Sequence, residues 1–276
     1  MRDPRVFASL VNAGMTILWT GDTHYGSELN WETGSHIDIV AVVSEWNKDC
    51  LSRFYPFLAR KIYVTNNAIE PKYFCPGTKI ERNPHRAIYS SSIERGLELL
   101  VEWWPKVREC IPDAELVYCQ APVYNQRADT LAEYAYLRNE LSELTAATDG
   151  IRDLGSLSQP ALAMEMLKSQ VWLAPSWMTL RHCHFYETFC IGSVEAAAAG
   201  CRRIMSPWGA LTERTEAKAE FIAGSPEPPR EKWVEAISSA LVDESPLLPS
   251  TTALLITWHS VVDDLLNEVQ AHMEKV

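Results

Sequence analysis

Several motifs that identify common enzyme classes are missing from this sequence. Its 276 residues contain neither a Gly-x-Ser-x-Gly nucleophile elbow nor a phosphate-binding loop of the Gly-x4-Gly-Lys-Ser/Thr type. Both motifs place a reactive or anion-binding group at a tight turn that enters a helix. Their absence excludes hydrolases of the first kind and ATPases of the second.

Metal-ligand spacing is missing as well. The seven cysteines include no Cys-x-x-Cys pair. The segment RHCHF places His182, Cys183 and His184 in a row, but adjacent side chains seldom point at one ion, and a zinc site needs further ligands at a suitable spacing. We therefore expect no metal. An odd number of cysteines in a long chain also argues against a disulfide framework and favours a reducing compartment.

Long hydrophobic runs are absent too. No stretch of about 18 apolar residues occurs, so we expect no transmembrane segment. The first residues, MRDPRVFASLVNAG, have neither a long apolar core nor a small-residue cleavage site. No secretory leader is predicted from them. Together with the cysteine pattern, these observations lead us to expect a cytoplasmic protein.

Positive charge is scarce. The chain has 25 Lys and Arg against 36 Asp and Glu, a net charge of −11. This balance disfavours tight binding to the phosphates of nucleic acids, so no nucleic-acid partner is expected. The local basic stretch GCRRI could still hold a small anion.

The chain does have β-type runs that alternate with amphipathic segments along nearly its whole length. The predicted strands are MTILWT, IDIVAVVS, KIYVTNN, AIYSSS, LVYCQ, IRDLGS, VWLAPSW, CRRIMSP and AEFIAG. Intervening segments with helical spacing predict parallel sheets with helices on both faces. A Pro- and Gly-rich stretch at residues 71–84 marks a boundary. We therefore predict an α/β protein of two units, residues 1–78 and 79–248, followed in 249–276 by one long helix from about Ser250 to Glu274.

Two glutamates, Glu187 and Glu195, stand eight residues apart around the start of a helix of small residues. At 1.5 Å per residue they would be separated by about 12 Å along the helix axis. Between them, backbone N–H groups near Phe189, Cys190 and Ile191 and the positive end of the helix dipole form an anion site. A nucleotide sugar would suit this layout, because carboxylates accept paired hydrogen bonds from the vicinal hydroxyls at both of its ends. In the alternative interpretation, Glu187 is an acid favoured by the helix dipole and Glu195 is a solvated surface residue.

The surrounding segments carry a family resemblance. ETFCIGSVEAAAAGCRRIMSPWGAL resembles the E-x7-E region of glycosyltransferase family 4, whose members are retaining enzymes of the GT-B fold. VVSEWNKDCLSRFYP and KIYVTNNAIEPKYF are similar to the end of that family's first domain, and YSSSIERGLELLVEWWPKVRECIPDAELVY and IRDLGSLSQPALAMEMLKSQVWLAPSW to parts of its second. TWHSVVDDLLNEV resembles its closing helix. The likeness begins near residue 37 and implies two Rossmann-like parallel-sheet units, the first abbreviated, with a C-terminal helix that crosses back.

The resemblance also implies a function. A sugar would move from a nucleoside diphosphate sugar to an unidentified acceptor with retention of anomeric configuration. Glu195 would hold the ribose hydroxyls, and Glu187 would touch the donor sugar near its reacting face. Arg95, in ERGLE, matches a family lysine that neutralises the diphosphate, and main-chain groups from Arg152 to Leu154 would border the base. Attack on the same face as the departing phosphate needs no metal, so no cofactor beyond the donor is expected.

Three segments depart from the family pattern. Cys190 stands where glycine is common, which would narrow the approach to the sugar. Ala68 replaces the glycine of the usual Asn-Gly pair. Ser90, Ser91 and Ser92 stand where a second basic residue is common. A phosphate contact at the serines is therefore either lost or made by a hydroxyl group.

The first predicted domain, which ends at residue 78, is shorter than that of the family and lacks its glycine-rich loop. WTGDTHYG resembles weakly a His-Asp loop on the acceptor side, which makes His24 and Asp22 candidates for the catalytic cleft. A loop histidine without a role is the alternative for His24. The chain is thus either a compact transferase or one completed by a homo-oligomer or a partner chain. In the second case it would be the non-catalytic nucleotide-sugar-binding half of a split transferase, and an epimerase or phosphorylase of related fold is a third hypothesis.

Overall fold

The computed structural model describes residues 14–120, 131–225 and 227–274. The strands are β1 (Ile17–Thr20), β2 (Ile39–Val42), β3 (Ile62–Val64), β4 (Asn83–Tyr89), β5 (Glu115–Gln120), β6 (Ile151–Ser156), β7 (Ser169–Ala174), β8 (Trp177–Met178), β9 (Cys183–His184), β10 (Arg202–Met205) and β11 (Ala219–Phe221). The helices are α1 (Trp31–Ser35), α2 (Glu45–Phe54), α3 (Leu97–Cys110), α4 (Ala132–Ala147), α5 (Gln159–Leu167), α6 (Ile191–Ala198), α7 (Arg230–Val242), α8 (Thr251–Leu255) and α9 (Trp258–Met273). The predicted alternation of strands and helices is confirmed.

The first unit is built on a three-stranded parallel sheet in the order β1-β2-β3. All four residues of β2 are buried, as expected of a central strand in a parallel sheet that is covered on both faces. Helix α2 follows this strand and is capped by Ser44, whose side chain accepts a hydrogen bond from the backbone N–H of Asn47. Leu51 of α2 is buried against the sheet together with Val40 and Val42.

The second unit is built on a six-stranded parallel sheet in the order β11-β10-β7-β4-β5-β6. Alternate residues of β4 point to opposite faces: Ala87 and Tyr89 belong to one buried cluster and Ile88 to another. Helices α3, α4 and α7 contribute to the first cluster, and α5, α6 and α8 contribute to the second. The sheet therefore has helices on both faces.

The predicted long helix from Ser250 to Glu274 is wrong in one respect, because it is interrupted between α8 and α9. Thr257 caps α9 in a reciprocal capping box with Ser260. The carbonyl of Ile256 turns out of the helix and accepts a hydrogen bond from the N–H of Ile69, at 3.0 Å. Farther along α9, the hydroxyl of Tyr63 in β3 donates to the carbonyl of Asp264, at 3.4 Å. The C-terminal segment thus contacts the first unit.

Some predicted features lie outside the described residues. They are the N-terminal segment of residues 1–13 and the start of the predicted helix before α4, at residues 128–130. Within the described ranges, no helix combines the length and the apolar composition that crossing a membrane requires.

The carboxyl ends of the strands of the two sheets meet. Ser44, after β2, donates from its hydroxyl to the carbonyl of Thr188 in the second unit, at 2.6 Å. A Cβ atom on Gly21, just after β1, would lie 3.6 Å from the hydroxyl of Thr188. Ligands of parallel α/β sheets bind beyond the carboxyl ends of the strands. The candidate site is therefore sought between the two units.

Candidate functional site

A cavity of about 380 Å³ lies at this meeting of strand ends. The first unit contributes Asn67, and the second contributes the loop after β4 and the segment that enters α6. The lining includes two carboxylates and one guanidinium, from Glu187, Glu195 and Arg95. Serine hydroxyl groups and the start of a helix complete a surface rich in groups that recognise a polar, charged ligand.

The start of α6 is open towards this cavity. Cys190 precedes the helix with φ 68° and ψ 74° and gives no side-chain cap. Ile191 and Gly192 follow it and also line the cavity. A Cβ atom at Gly192 would lie 3.3 Å from the ring of Trp172, so glycine allows the helix to begin close against β7. The first N–H groups of a helix have no partner within it, a property that favours the binding of an anion at this end.

Glu195 lies one turn into α6 and is 6% exposed. Within the described residues, no side chain or backbone group donates a hydrogen bond to its carboxylate, which lines the cavity. Burial raises the pKa of Glu195 to about 7. A buried carboxylate without a partner is costly, and such groups cluster at functional sites. A ligand that donates hydrogen bonds would supply the missing partner.

Glu187, which precedes α6 in the chain, forms an ion pair with Arg95. Nη1 of Arg95 lies 3.3 Å from Oε1 of Glu187, and the guanidinium stacks 3.9 Å from the ring centre of Phe185. Burial raises the pKa of Glu187, and the positive charge of Arg95 opposes that rise. The two side chains are only 15% and 22% exposed, so their attraction is weakly screened.

The backbone of Glu187 is held from a distant part of the chain. It forms an isolated parallel bridge with Gly209, and its carbonyl accepts a 2.7 Å hydrogen bond from the N–H of Ala210. Gly209 has φ 66°, and a Cβ atom there would lie 2.3 Å from the Glu187 carbonyl oxygen. Glycine is therefore required. Glu187 does not stand just before the helix as predicted, because α6 begins only at Ile191.

Two buried arginines, Arg203 and Arg214, pack against α6 and the segment that precedes it. Arg203 is 1% exposed and donates to the hydroxyl of Ser193 at 2.9 Å. The guanidinium of Arg214 stacks 4.0 Å from the ring centre of Phe189. Arg202 is engaged by Asp243, at 2.9 Å. The residues of the basic stretch GCRRI do not line this cavity. That the stretch holds a small anion stays a prediction.

Six of the predicted site residues are brought together around the cavity: Glu187, Arg95, Phe189, Cys190, Ile191 and Glu195. Ser92 is not among the lining residues. It is fully buried, and its hydroxyl donates to the carboxylate of Glu94. Its neighbours Ser90 and Ser91 line the cavity instead, and the Ser90 hydroxyl accepts a 2.9 Å hydrogen bond from the indole of Trp172.

Four further predicted residues lie away from the cavity. Arg152 is exposed and pairs with Glu115 at 2.6 Å, and Leu154 packs against the buried cluster beneath α5 and α6. His24 and Asp22 are exposed in the loop after β1. The ring of His24 lies 5.7 Å from that of Phe54, centre to centre. Their roles on the base side and the acceptor side stay predictions.

Lining residues that sequence reasoning did not select include Asn67, Gln120 and Gln159. Asn67 follows β3, Gln120 ends β5, and Gln159 begins α5 after β6. The rule that ligands lie beyond strand ends pointed to these turns. It could not say which side chain in each turn faces inwards.

The RHCHF segment forms part of a small antiparallel pair, β8 with β9, that was not predicted. The ring of His184 stacks on Trp208 at 4.0 Å, centre to centre. Among the residues that the structure describes, no three His, Cys, Asp or Glu side chains are grouped so that they could hold a metal ion.

Neither protein-family profiles nor curated protein sequences match the chain, whereas solved structures do. A glycosyltransferase from Rickettsia africae ESF-5 is similar with a TM-score of 0.69 and 13% identity, over 94% of this chain and 71% of that one. HepE from Anabaena, in complex with UDP and glucose, is similar with a TM-score of 0.65 and 10% identity, over 93% of this chain and 72% of that one. The pneumococcal O-GlcNAc transferase GtfA, in complex with UDP and GlcNAc, is similar with a TM-score of 0.60 and 15% identity, over 87% of this chain and 46% of that one.

At such low identities the likeness concerns the fold. The chain spans 46% of GtfA and 71% of the Rickettsia protein. Its two parallel sheets, each covered by helices, are consistent with two Rossmann-like units. The chain therefore has the GT-B fold of glycosyltransferases.

Proposed function

We propose that the protein is a retaining, metal-independent glycosyltransferase that moves a sugar from a nucleoside diphosphate sugar to a hydroxyl group of an acceptor. One observation carries the proposal. The Arg95–Glu187 pair lines one cavity around the open start of α6 together with the carboxylate of Glu195, which has no hydrogen-bond partner among the described residues. The resemblance to the E-x7-E region of glycosyltransferase family 4 and the shared fold support it.

The donor would lie along the start of α6. Its ribose hydroxyls would donate to the Glu195 carboxylate, and because such donors favour the charged form, binding would lower the raised pKa of this group. The diphosphate would accept hydrogen bonds from the N–H groups of Ile191 and Gly192. The hydroxyl groups of Ser90 and Ser91 line the same cavity and would add to them.

Sugar transfer would proceed on one face of the donor. The bond between the anomeric carbon and the diphosphate oxygen breaks, and the acceptor oxygen bonds to the anomeric carbon on that same face. The acceptor proton passes to the departing phosphate oxygen. Arg95 would offset the charge that develops on the leaving group. Glu187 would orient this guanidinium and contact the sugar.

Calorimetric titration with UDP, GDP and ADP, with and without EDTA, tests the donor site. UDP comes first because HepE and GtfA were solved with it. We expect one nucleotide to bind whether or not EDTA is present. Glu195→Ala should lower its affinity by about tenfold or more, since hydrogen bonds to a charged group contribute about 1.5–3 kcal/mol. Glu220→Ala, which removes an exposed glutamate of β11, should leave the affinity unchanged.

Three results would contradict the proposal in different ways. If no nucleotide binds, or if Glu195→Ala binds as tightly as wild type, the donor site is wrong. If the nucleotide binds but is never released from its sugar conjugate, the non-catalytic binding half is the better description. If turnover of the conjugate requires an added divalent cation, metal independence is wrong.

A further inference from the structure

Glu213 belongs to the second unit, but its side chain reaches the first. Its carboxylate accepts hydrogen bonds from the backbone N–H groups of Glu45, at 3.2 Å, and Trp46, at 2.6 Å. These are the first two N–H groups of α2, which no carbonyl within that helix can satisfy. The positive end of the helix dipole also favours a negative charge here. Glu213 therefore caps a helix from across the boundary between the units.

The turn that carries Glu213 also holds the backbone of Glu187. This turn is a short 3-10 helix, Ala210–Glu213, preceded by Gly209. Its first residue donates the 2.7 Å hydrogen bond to the Glu187 carbonyl, and Gly209 forms the bridge to the same residue. One end of the turn thus fixes Glu187, and the other end fixes α2.

Two further contacts connect α2 with the residues on either side of Glu187. The hydroxyl of Ser44, at the start of α2, donates to the carbonyl of Thr188 at 2.6 Å. The ring of Trp46 is parallel to that of Tyr186, at 5.9 Å between centres and 4° between planes. The start of α2, the segment 186–188 and the turn of Glu213 therefore form one connected set of contacts, which we call the α2 junction.

We infer that Glu213 is a positioning residue, which holds the first unit in register with Glu187 through the α2 junction. The inference rests on the proposed function, in which Glu187 contacts the donor sugar, and on the prediction that the first unit lines the acceptor side. Glu213 itself does not line the cavity. Its loss is therefore expected to affect turnover and to leave nucleotide binding nearly unchanged.

Amide hydrogen exchange measures the coupling without any assay of activity. In Glu213→Ala, the amides of Trp46 and Ala210 should both exchange faster, by about tenfold or more. Local opening of the α2 junction would then cost less free energy, because the hydrogen bonds of the cap no longer have to be broken. Glu213→Gln should show a smaller effect, since its amide oxygen still accepts a hydrogen bond. Glu45→Gln is the matched control: it removes a charge at the same helix end, where Glu45 forms an ion pair with Lys48 of its own helix, at 2.9 Å. It should change neither amide.

Faster exchange at Trp46 with no change at Ala210 would overturn the coupling to Glu187. So would equal effects of Glu213→Ala and Glu45→Gln, which would reduce the role of Glu213 to the helix dipole alone.

A kinetic experiment tests the consequence, with UDP as the binding probe and UDP-glucose as the donor. Glu213→Ala should keep the Kd for UDP within about threefold while kcat for UDP release falls by about tenfold or more, because misplacing one side of a cleft costs chiefly turnover. Unchanged turnover would overturn the inference. Equal losses of affinity and turnover would also overturn it, because they would indicate general support of the donor site. If wild type does not bind UDP, the uridine donor is wrong, and the exchange result alone decides the role of Glu213.

Discussion

The guanidinium of Arg95 contacts both the carboxylate of Glu187, 3.3 Å away, and the ring of Phe185, 3.9 Å from its centre. A charge that is largely removed from water needs its partner, since an isolated one is costly there. The aromatic ring of Phe185 adds a cation–π contact. Arg95 is thereby held in a fixed orientation at the cavity, where its charge can meet an anionic ligand.

Substitution of Arg95 should weaken nucleotide binding. Arg95→Ala leaves Glu187 without its opposing charge, so the pKa of that carboxyl, already raised by burial, should rise further. Affinity for UDP should fall by about tenfold to a hundredfold, as loss of a charged hydrogen bond of about 1.5–3 kcal/mol predicts. Arg95→Lys keeps the charge but not the planar fork and should be intermediate. Arg181→Ala, at an exposed arginine, is the control in the same calorimetric titration; an equal loss there would point to net charge alone.

Glu195→Gln should stabilise the fold by an amount that grows with pH. Burial raises the pKa of Glu195 from 4.5 to about 7. Between these values the folded chain holds a proton that the unfolded chain has lost, so the carboxyl costs stability as the pH rises from 4.5 to about 7, and the cost is constant above that. The difference in free energy of unfolding between variant and wild type should therefore increase by about 3 kcal/mol between about pH 4 and pH 8. Urea unfolding at a series of pH values measures it, and a difference independent of pH would refute the raised pKa.

Gly209→Ala should be far more damaging than an alanine at a comparable backbone conformation. At Gly209, with φ 66°, the added Cβ atom would lie 2.3 Å from the carbonyl oxygen of Glu187 and 2.7 Å from its nitrogen. Gly77 has φ 69° and nothing within 4 Å, so Gly77→Ala carries the backbone strain alone, about 1–2 kcal/mol. We expect Gly209→Ala to lower the free energy of unfolding by at least about 2 kcal/mol more, or to fold with Glu187 displaced and weaker donor turnover. Similar unfolding curves and similar turnover for the two variants would show that the bridge to Glu187 is dispensable.

The Cys190→Gly variant should be more stable than the Cys190→Ala variant, the reverse of the usual order within a helix. Cys190 has φ 68°, where a side chain costs about 1–2 kcal/mol. Comparing Cys190→Gly with Cys190→Ala removes the thiol in both and isolates this strain. The glycine variant should therefore unfold at higher urea concentration, by about 1 kcal/mol in free energy. Ala196→Gly, inside α6, should be destabilising instead. If the variant with glycine is less stable than the protein with alanine at both positions, the strained conformation of Cys190 is contradicted.

Much of the candidate site could be predicted from the sequence because its signals are local. The small residues between Glu187 and Glu195 allow a helix to begin close to a sheet, and Arg95 stands in a recognisable strand–turn–helix segment. The break before Thr257 also had a local signal, since a threonine followed three residues later by a serine can form a capping box. That signal was outweighed by the amphipathic pattern on both sides of it.

Other parts depended on residues that are distant in the sequence. Glu213 contacts the start of α2, 167 and 168 positions earlier, and nothing near either residue indicates the pairing. The same holds for Asn67, which reaches the cavity only because the two sheets meet at their carboxyl ends. Ser92 shows the converse: it was selected by its place in a motif, but a neighbouring carboxylate binds its hydroxyl inside the protein.

The sequence by itself determined the parallel α/β architecture and the pairing of two glutamates with a helix start. Hydrophobic periodicity and turn chemistry act over a few residues, so they can be read in order along the chain. Only the tertiary structure decided which side chains face the cavity and how Glu187 is held. It also decided that the carboxylate of Glu195 is buried with no partner among the described residues. Burial, desolvation and hydrogen bonds between distant segments depend on the packing of whole units, and no local pattern encodes that packing.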